Sequence, residues 1–423
     1  MIDIEDVLLR HDEMRRNLED RNIDLDLTNL FSAYDEYKKS RRHLEELRAE
    51  SNRISRLIES APGEMDRTAH LQAAKRNKQL LAEVKPVVDK AQHVYTELLG
   101  LLPNWTSAEV PRGNSDADNQ LLKVVGHPPE FNFSAKDHVA LGKHHDIIDF
   151  DAGAKVAGSK FYFLRKQAVL IQHALKSHVF EKCMAAGFMP LSTPDLAYNP
   201  ILQGVGFAPR GDESNTYQLE GLDKSLIATA EICVGGMHAD EIIPSASLPL
   251  MYVAESHCFR REAGAAGQSS KGLYRVHQFE KIELFVLCEP QDSQRLHDRL
   301  LALQEDIYQG LGIPYQVVMN CTGDLGAPAF KKYDIEAWMP GKGAGEYGEI
   351  TSASNCTDYQ ARRLNIRYRP HPADKPRHVH TLNGTAMALG RTMVAIMENF
   401  QCADGSFNIP EVLWKYLPFR TVG

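Results

Sequence analysis

Two heptad seams, separated by a single Pro-Gly break, constrain this 423-residue chain more than any other feature. The first seam reads Tyr37, Ser40, Leu44, Leu47, Ser51, Ile54, Ile58. The second reads Ala74, Asn77, Leu81, Val84, Val88, Ala91, Tyr95, Leu98, Leu102. Steps of three and four residues place these side chains on one stripe of each helix. The break between them is Ser60-Ala61-Pro62-Gly63. So short a connection makes the helices antiparallel neighbours, a long helical hairpin. Pro86 falls inside the second pattern and is expected to kink it, since proline lacks the N–H and crowds the preceding turn. Off the seam lie Lys38, Lys39, Arg41, Arg42, Arg48, Arg53, Arg56, Lys75, Arg76 and Lys78, interleaved with Glu45, Glu46 and Glu50. A solvated face laced with ion pairs fits this pattern, and so does an arm that tracks phosphates.

The remaining residues follow other periods. A chain this long exceeds one ordinary core, and the expected division is residues 1–105 and 106–423. Pro103, Pro111-Arg112-Gly113-Asn114 and Pro128-Pro129 give residues 103–150 a linker-like composition,. Beyond it, helices are expected over 166–186, ending at Gly187, and over 387–400. Strand patterns cover 251–259, 273–287, 315–319 and 334–339. Strands joined by short connections favour an antiparallel sheet with flanking helices, an α+β fold.

Composition excludes several classes. No apolar run is long enough to span a bilayer, so no membrane partner is expected. The acidic start, Met1-Ile2-Asp3-Ile4-Glu5-Asp6, matches neither a signal peptide nor a transit peptide,. Seven scattered cysteines without a CxxC pair read as reduced thiols, and no zinc is expected,. The net charge is −8, so a nucleic acid would need local basic patches,.

Three local patterns are candidates for chemistry. Gly343, Gly345 and Gly348 match GxGxxG, but the strand-like Glu349-Ile350-Thr351-Ser352 follows where a dinucleotide site needs a helix. A glycine-rich hairpin loop is the better reading. His378-Val379-His380 lacks a third ligand nearby and reads as a strand with two polar faces. The third pattern is Cys258-Phe259-Arg260-Arg261-Glu262, a loop, then Arg275-Val276-His277-Gln278-Phe279-Glu280-Lys281-Ile282-Glu283. Strand alternation groups Arg260 with Glu262, and Arg275 with Phe279 and Glu283. A guanidinium fork suits phosphate or carboxylate, and an aromatic face can stack on a base. Ion-paired cross-strand neighbours explain the same residues equally well.

These residues resemble motif 2 of class II aminoacyl-tRNA synthetases in its seryl form. Motif 3 resembles Leu382-Asn383-Gly384-Thr385 through Gly390-Arg391-Thr392 and Glu398-Asn399. Motif 1 looks like the helix ending near Gly187-Phe188 and the strand running to Pro194. Thr229-Ala230-Glu231 and Glu349-Ile350-Thr351-Ser352-Ala353-Ser354-Asn355 resemble seryl-type markers. The resemblance spans essentially the whole chain, hairpin included.

The resemblance implies activation of L-serine with ATP and Mg²⁺, then transfer to the 3′-terminal adenosine of serine tRNA. Arg260 would hold the ATP α-phosphate and the serine carboxylate. Glu262 would read the adenine amino group, and Phe279 would stack on the ring. Arg275 and Arg391 would grip the outer phosphates, with Arg260 and Arg391 the catalytic pair. Arg261, Val276, Ile350 and Thr351 would complete the ATP contacts, and Glu349 and Ser352 would also position Mg²⁺. Serine would meet Thr229, Ala230, Glu231, Glu283, Asn383 and Thr385. The implied partners are the long variable arm and acceptor end of serine tRNA, the former gripped by the hairpin, and a second copy in a homodimer built partly through motif 1.

Some positions depart from the bacterial pattern. Thr385 stands where serine is usual, and Ile232-Cys233 replace the usual Val-Pro. The stretch from Glu349 to Tyr359 looks most like mitochondrial forms, implying the mitochondrial matrix, with the cytoplasm as the alternative. Two other functions stay in view: a catalytically inactive tRNA-binding paralogue, and a ligase that loads an amino acid onto a carrier protein. The first would be expected to lose Arg260, Glu283, Glu349 or Arg391, and the second lacks the long arm. All of these features are present.

Overall fold

The computed structural model describes every residue except 62, 208–214 and 263–271. It divides into two compact units, Met1–Pro103 and Asn104–Gly423.

In the first unit, α1 (Ile4–Leu9) and α2 (His11–Asp20) precede the long helices α3 (Leu27–Glu59) and α4 (Glu64–Gly100). Asp26 caps α3, its carboxylate accepting the Thr28 N–H at 2.8 Å,. The seam positions of both helices are buried or half-buried, while most residues between them are exposed. The seam therefore closes as the heptad spacing requires. Asn77 is buried within it and donates to the Leu47 carbonyl (2.9 Å) and the Ser51 hydroxyl (2.7 Å). A satisfied polar group in a helical seam fixes the register, because any slip would leave it unpaired. Helix α4 runs unbroken through Pro86, which lies on the exposed face; the expected kink does not end the helix. The ion-pair reading of the basic face is met at three arginines. Arg41, Arg42 and Arg53 pair with Glu45, Glu46 and Glu50. Among the described residues, exposed Arg48, Arg56, Lys75, Arg76 and Lys78 form no ion pair.

The second unit is built on an eight-stranded sheet. Its strands in chain order are β1 (Gln120–Val125), β2 (Met189–Ser192), β3 (Leu250–Phe259), β4 (Gln278–Cys288), β5 (Tyr315–Met319), β6 (Lys331–Met339), β7 (Glu346–Asn355) and β8 (His380–Ala388). Their spatial order is β1-β5-β6-β7-β8-β4-β3-β2, antiparallel throughout except for the parallel edge pair β2 and β3. Along β4 the alternation sorts two cores. Ile282, Leu284 and Val286 enter the large core with α6 (Gln167–Ala185), α8 (Ser293–Gly310) and α10 (Leu389–Asn399). Phe285 and Leu287 enter a smaller core on the opposite face, with α7 (Ala230–Met237) and α9 (Tyr359–Leu364). Helix α6 stops at Gly187, whose φ of +84° suits glycine, and the Phe188 N–H bonds back to the Cys183 carbonyl at 3.0 Å,.

Four expectations need correction. The linker-like stretch 103–150 is in part structured, because β1 joins the sheet edge and α5 (His138–His144) buries His138 and Leu141. Residues 273–277 are not strand: a 3₁₀ turn at Gly272–Tyr274 precedes β4. Strand β3 ends at Phe259, so Arg260 and Glu262 lie beyond its alternation. The His378-Val379-His380 stretch is divided between a two-residue strand ending at His378 and β8, with Val379 buried between them. The glycine-rich hairpin stands as read, joining β6 to β7 with positive φ at Gly343 and Gly345. The loop between Glu262 and Gly272 falls outside the described residues.

Candidate active site

Strands β7 and β8 pair only from Ala353–Asn355 to Leu382–Gly384. Before that register they separate, and the Gln304 amide of α8 bridges them. It donates to the Ser352 carbonyl at 2.7 Å and the Thr385 carbonyl at 2.9 Å. Over this split lies a cavity of about 390 Å³. Among the described residues five cations line it, namely Arg260, Arg275, Lys281, Lys332 and Arg391, against two carboxylates, Glu262 and Glu349. In a chain of net charge −8 this is a strong local reversal of sign, and it suits a polyanionic ligand.

Two bulges aim the side chains. Opposite β6, Ile335 pairs with Thr351 but Glu336 pairs with Glu349, leaving Ile350 as the extra residue. Alternation alone would send Glu349 and Ser352 to opposite faces; the bulge returns them to one. Between β8 and β4, Thr385 faces Glu283 and Met387 faces Ile282, so the extra residue is Ala386.

At one end of the cavity the Arg260 guanidinium stands 5.3 Å from the Phe279 ring centroid. Its backbone N–H bonds to the His277 carbonyl at 2.9 Å. Among the described residues its buried Nε has no hydrogen-bond partner, a donor that an anion would satisfy. Glu262 holds a positive φ of 50° and lies 3.5 Å from Arg275 Nε; the two form an ion pair, but between residues outside the strands, not across a strand pair. Arg391 stacks 4.6 Å above the Tyr274 ring and donates to the Glu349 carbonyl (2.8 Å) and carboxylate (3.1 Å). Burial pushes the Glu349 carboxyl up, but Arg391 and Lys332 outweigh it and hold it at about 2,. It is a carboxylate throughout the physiological range.

Next to the lining residues Lys281 and Thr385 lies a buried polar cluster. Glu283 is buried, paired with Lys281 at 2.5 Å and 3.5 Å from the Thr385 hydroxyl. Behind it, Glu231 accepts from the Gln360 amide at 2.6 Å and the Asn383 amide at 2.8 Å, both on one oxygen. Burial, reinforced by the nearby Glu283 charge, raises the Glu231 carboxyl to about 7,. Thr229 caps α7 and accepts the Glu231 N–H at 3.3 Å, and Ala230 is fully buried at the first helical position.

Most of the expected residues thus converge. Arg260, Glu262, Arg275, Val276, Phe279, Glu349, Ile350, Thr351, Ser352, Thr385 and Arg391 line the cavity. Thr229, Ala230, Glu231, Glu283 and Asn383 are buried and do not line it; Glu283 touches the lining residues Lys281 and Thr385. Arg261 is not among the lining residues; its N–H bonds to the Asn215 carbonyl. Lys281, Lys332, Tyr274 and Gln360 were missed. Lys281 was legible, since it alternates with Phe279 and Glu283 on one face of β4; the other three reach the site through tertiary packing that no local period records.

Comparison with known proteins gives a consistent picture. Residues 217–400 match the family model "tRNA synthetase class II core domain (G, H, P, S and T)", and residues 1–106 match "Seryl-tRNA synthetase N-terminal domain". The chain is 48% identical over 423 residues to the serine–tRNA ligase of Treponema denticola, covering all of both proteins. It is 46% identical over 420 residues to that of Dictyoglomus turgidum, covering 99% of this chain and 98% of the relative. Among solved structures it resembles the seryl-tRNA synthetase of Pyrococcus horikoshii complexed with ATP. The TM-score is 0.88 at 36% identity, over 100% of this chain and 99% of the other.

Proposed function

The chain belongs to the seryl-tRNA synthetase family, and from that premise we propose how its cavity divides the work. The activity is that of an aminoacyl-tRNA ligase with serine, ATP and serine tRNA as substrates. The serine carboxylate attacks the α-phosphorus of ATP and pyrophosphate leaves. The terminal hydroxyl of the tRNA then attacks the seryl-adenylate carbonyl and AMP leaves. Both steps need positioning and charge neutralisation, not a covalent nucleophile on the protein. We assign the adenine to the Phe279 face with Glu262 at its edge, and the phosphates to Arg260, Arg275 and Arg391. Glu349 and Ser352 offer hard oxygen donors on one face, which fits Mg²⁺ with its remaining positions left to water and phosphate. Bound there, the ion would neutralise charge on the departing pyrophosphate.

The observation that carries the serine assignment is the buried Glu283 carboxylate, held by Lys281 beside the Thr385 hydroxyl. A small substrate hydroxyl donating to Glu283 adds one more hydrogen bond to that carboxylate; a methyl in its place forfeits that bond. Sites of this kind discriminate by about 10⁴–10⁵. The test is Glu283→Gln, read as the ratio of kcat/KM for serine over alanine in ATP–pyrophosphate exchange. The ratio should narrow by about tenfold or more. Melting is measured alongside, because Lys281 loses its counter-charge and a broken buried pair costs about 3–5 kcal/mol. An unchanged ratio in folded protein would remove Glu283 from serine recognition.

The hairpin unit we assign to the long variable arm of serine tRNA, supported by its exposed cations without ion-pair partners. We further propose a homodimer joined through α6 and β2. Among the described residues no helix is long and apolar enough to cross a membrane. The serine–tRNA ligases compared are from bacteria, which supports the cytoplasmic alternative over a mitochondrial matrix location.

A further inference from the structure

Helix α10 carries Arg391 and, seven residues on, Glu398, two turns apart on one face of the helix,. Arg391 reaches the cavity, whereas Glu398 is buried at 1% exposure away from it. Its carboxylate is nevertheless fully used. One oxygen accepts the His138 backbone N–H at 2.9 Å and lies 2.7 Å from His138 Nδ1. The other accepts the Gly341 N–H at 2.8 Å. On the far side of the imidazole, His138 Nε2 accepts the Leu273 N–H at 3.1 Å. An Nε2 that accepts must leave the ring proton on Nδ1, which then donates to Glu398.

The Leu273 N–H belongs to the 3₁₀ turn that delivers Tyr274 and Arg275 to the cavity. Gly272 at its start has φ +60°, and a Cβ there would stand 2.2 Å from His138 Nε2, so the turn is fitted directly against the imidazole. Tyr274 in turn accepts from Arg391 Nε through its carbonyl at 3.3 Å and lies beneath the same guanidinium. The turn is therefore held from two points on α10, directly by Arg391 and through His138 by Glu398.

We propose that Glu398 and His138 are positioning residues for the nucleotide: they fix the Gly272–Tyr274 turn, and with it the placement of Tyr274 and Arg275 against the phosphates. This rests on the reading of the cavity as the ATP site. The two ring nitrogens can be tested separately. In His138→Asn the amide nitrogen can still donate near the Nδ1 position, but nothing accepts from Leu273. In His138→Gln the amide oxygen reaches the Nε2 position and restores that acceptor.

The experiment uses the full chain, with ATP binding by calorimetry, KM for ATP and for serine in pyrophosphate exchange, and Tm for each variant. His138→Asn should weaken ATP binding and raise its KM by about tenfold, as one directed hydrogen bond is lost. The serine KM should move by less than about twofold, and His138→Gln should recover most of the ATP affinity. Unchanged ATP binding in folded His138→Asn overturns the proposal. So does an equal loss of ATP and serine affinity in both variants that follows Tm, because that pattern marks a purely structural pair. A wild-type chain that binds no ATP overturns the reading of the cavity itself, and the proposal with it.

Discussion

Glu231 is 6% exposed and surrounded by amide donors, with the Glu283 carboxylate close enough to oppose its ionisation. Its carboxyl rises from the ordinary 4.5 to about 7. Between those values the folded chain keeps a proton that the unfolded chain releases, so this residue's contribution falls as pH rises across that window. Burial pushes Asp334 in the same direction, against the pull of Lys332. Glu349 acts oppositely: its contribution is full above the ordinary carboxyl range and is lost only as pH falls towards 2. Glu231→Gln mimics the protonated acid and keeps an acceptor for Gln360 and Asn383. Denaturant unfolding of the variant and of wild type should give similar stabilities near pH 5. The variant should gain relative to wild type as pH approaches 8. Parallel stability profiles across that range would mean that Glu231 ionises in the folded state without penalty.

Among the elements, those set by local period were the most legible. The seams of α3 and α4 needed only a spacing of three and four, whereas β3 and β5 bury consecutive residues, 252–254 and 317–319, so their positions were legible but not their faces. The site was legible mainly through its motifs, and alternation misplaces two parts of it. It puts Glu349 and Ser352 on opposite faces, because the bulge at Ile350 depends on β6 across the sheet. It also extends β4 back to residue 273, whereas Arg275 reaches the cavity from a turn braced by His138. His138 lies in a stretch whose proline content resembles a linker, since composition does not record what a segment docks against. Helix α6 and edge strand β2 raise a different matter. Leu170, Met184 and Met189 expose 44%, 49% and 55% of their surface, and β2 has a sheet partner on one side only. An unprotected apolar edge favours pairing with another chain. Sedimentation equilibrium should therefore give about twice the 47.4 kDa chain mass, and Met189→Asp should shift it towards one. A wild-type monomer at micromolar concentration would count against the dimer.

For the whole molecule, charge is partitioned against the net balance. A chain of net charge −8 gathers cations around one cavity in the second unit, and among the described residues Arg48, Arg56, Lys75, Arg76 and Lys78 of the hairpin form no ion pair. With small-molecule activation assigned to the former and tRNA capture to the latter, the two activities should separate. The deciding measurement compares the wild-type chain with one in which residues 41–91 are replaced by a short Gly-Ser link. Serine-dependent ATP–pyrophosphate exchange and serine tRNA charging are measured side by side. Wild type should perform both, with charging falling steeply as salt rises through counterion release. The shortened chain should keep its exchange rate within about twofold while charging falls by about a hundredfold or more. No serine-dependent exchange by folded wild type, or parallel loss of exchange and charging in the shortened chain, would contradict the account.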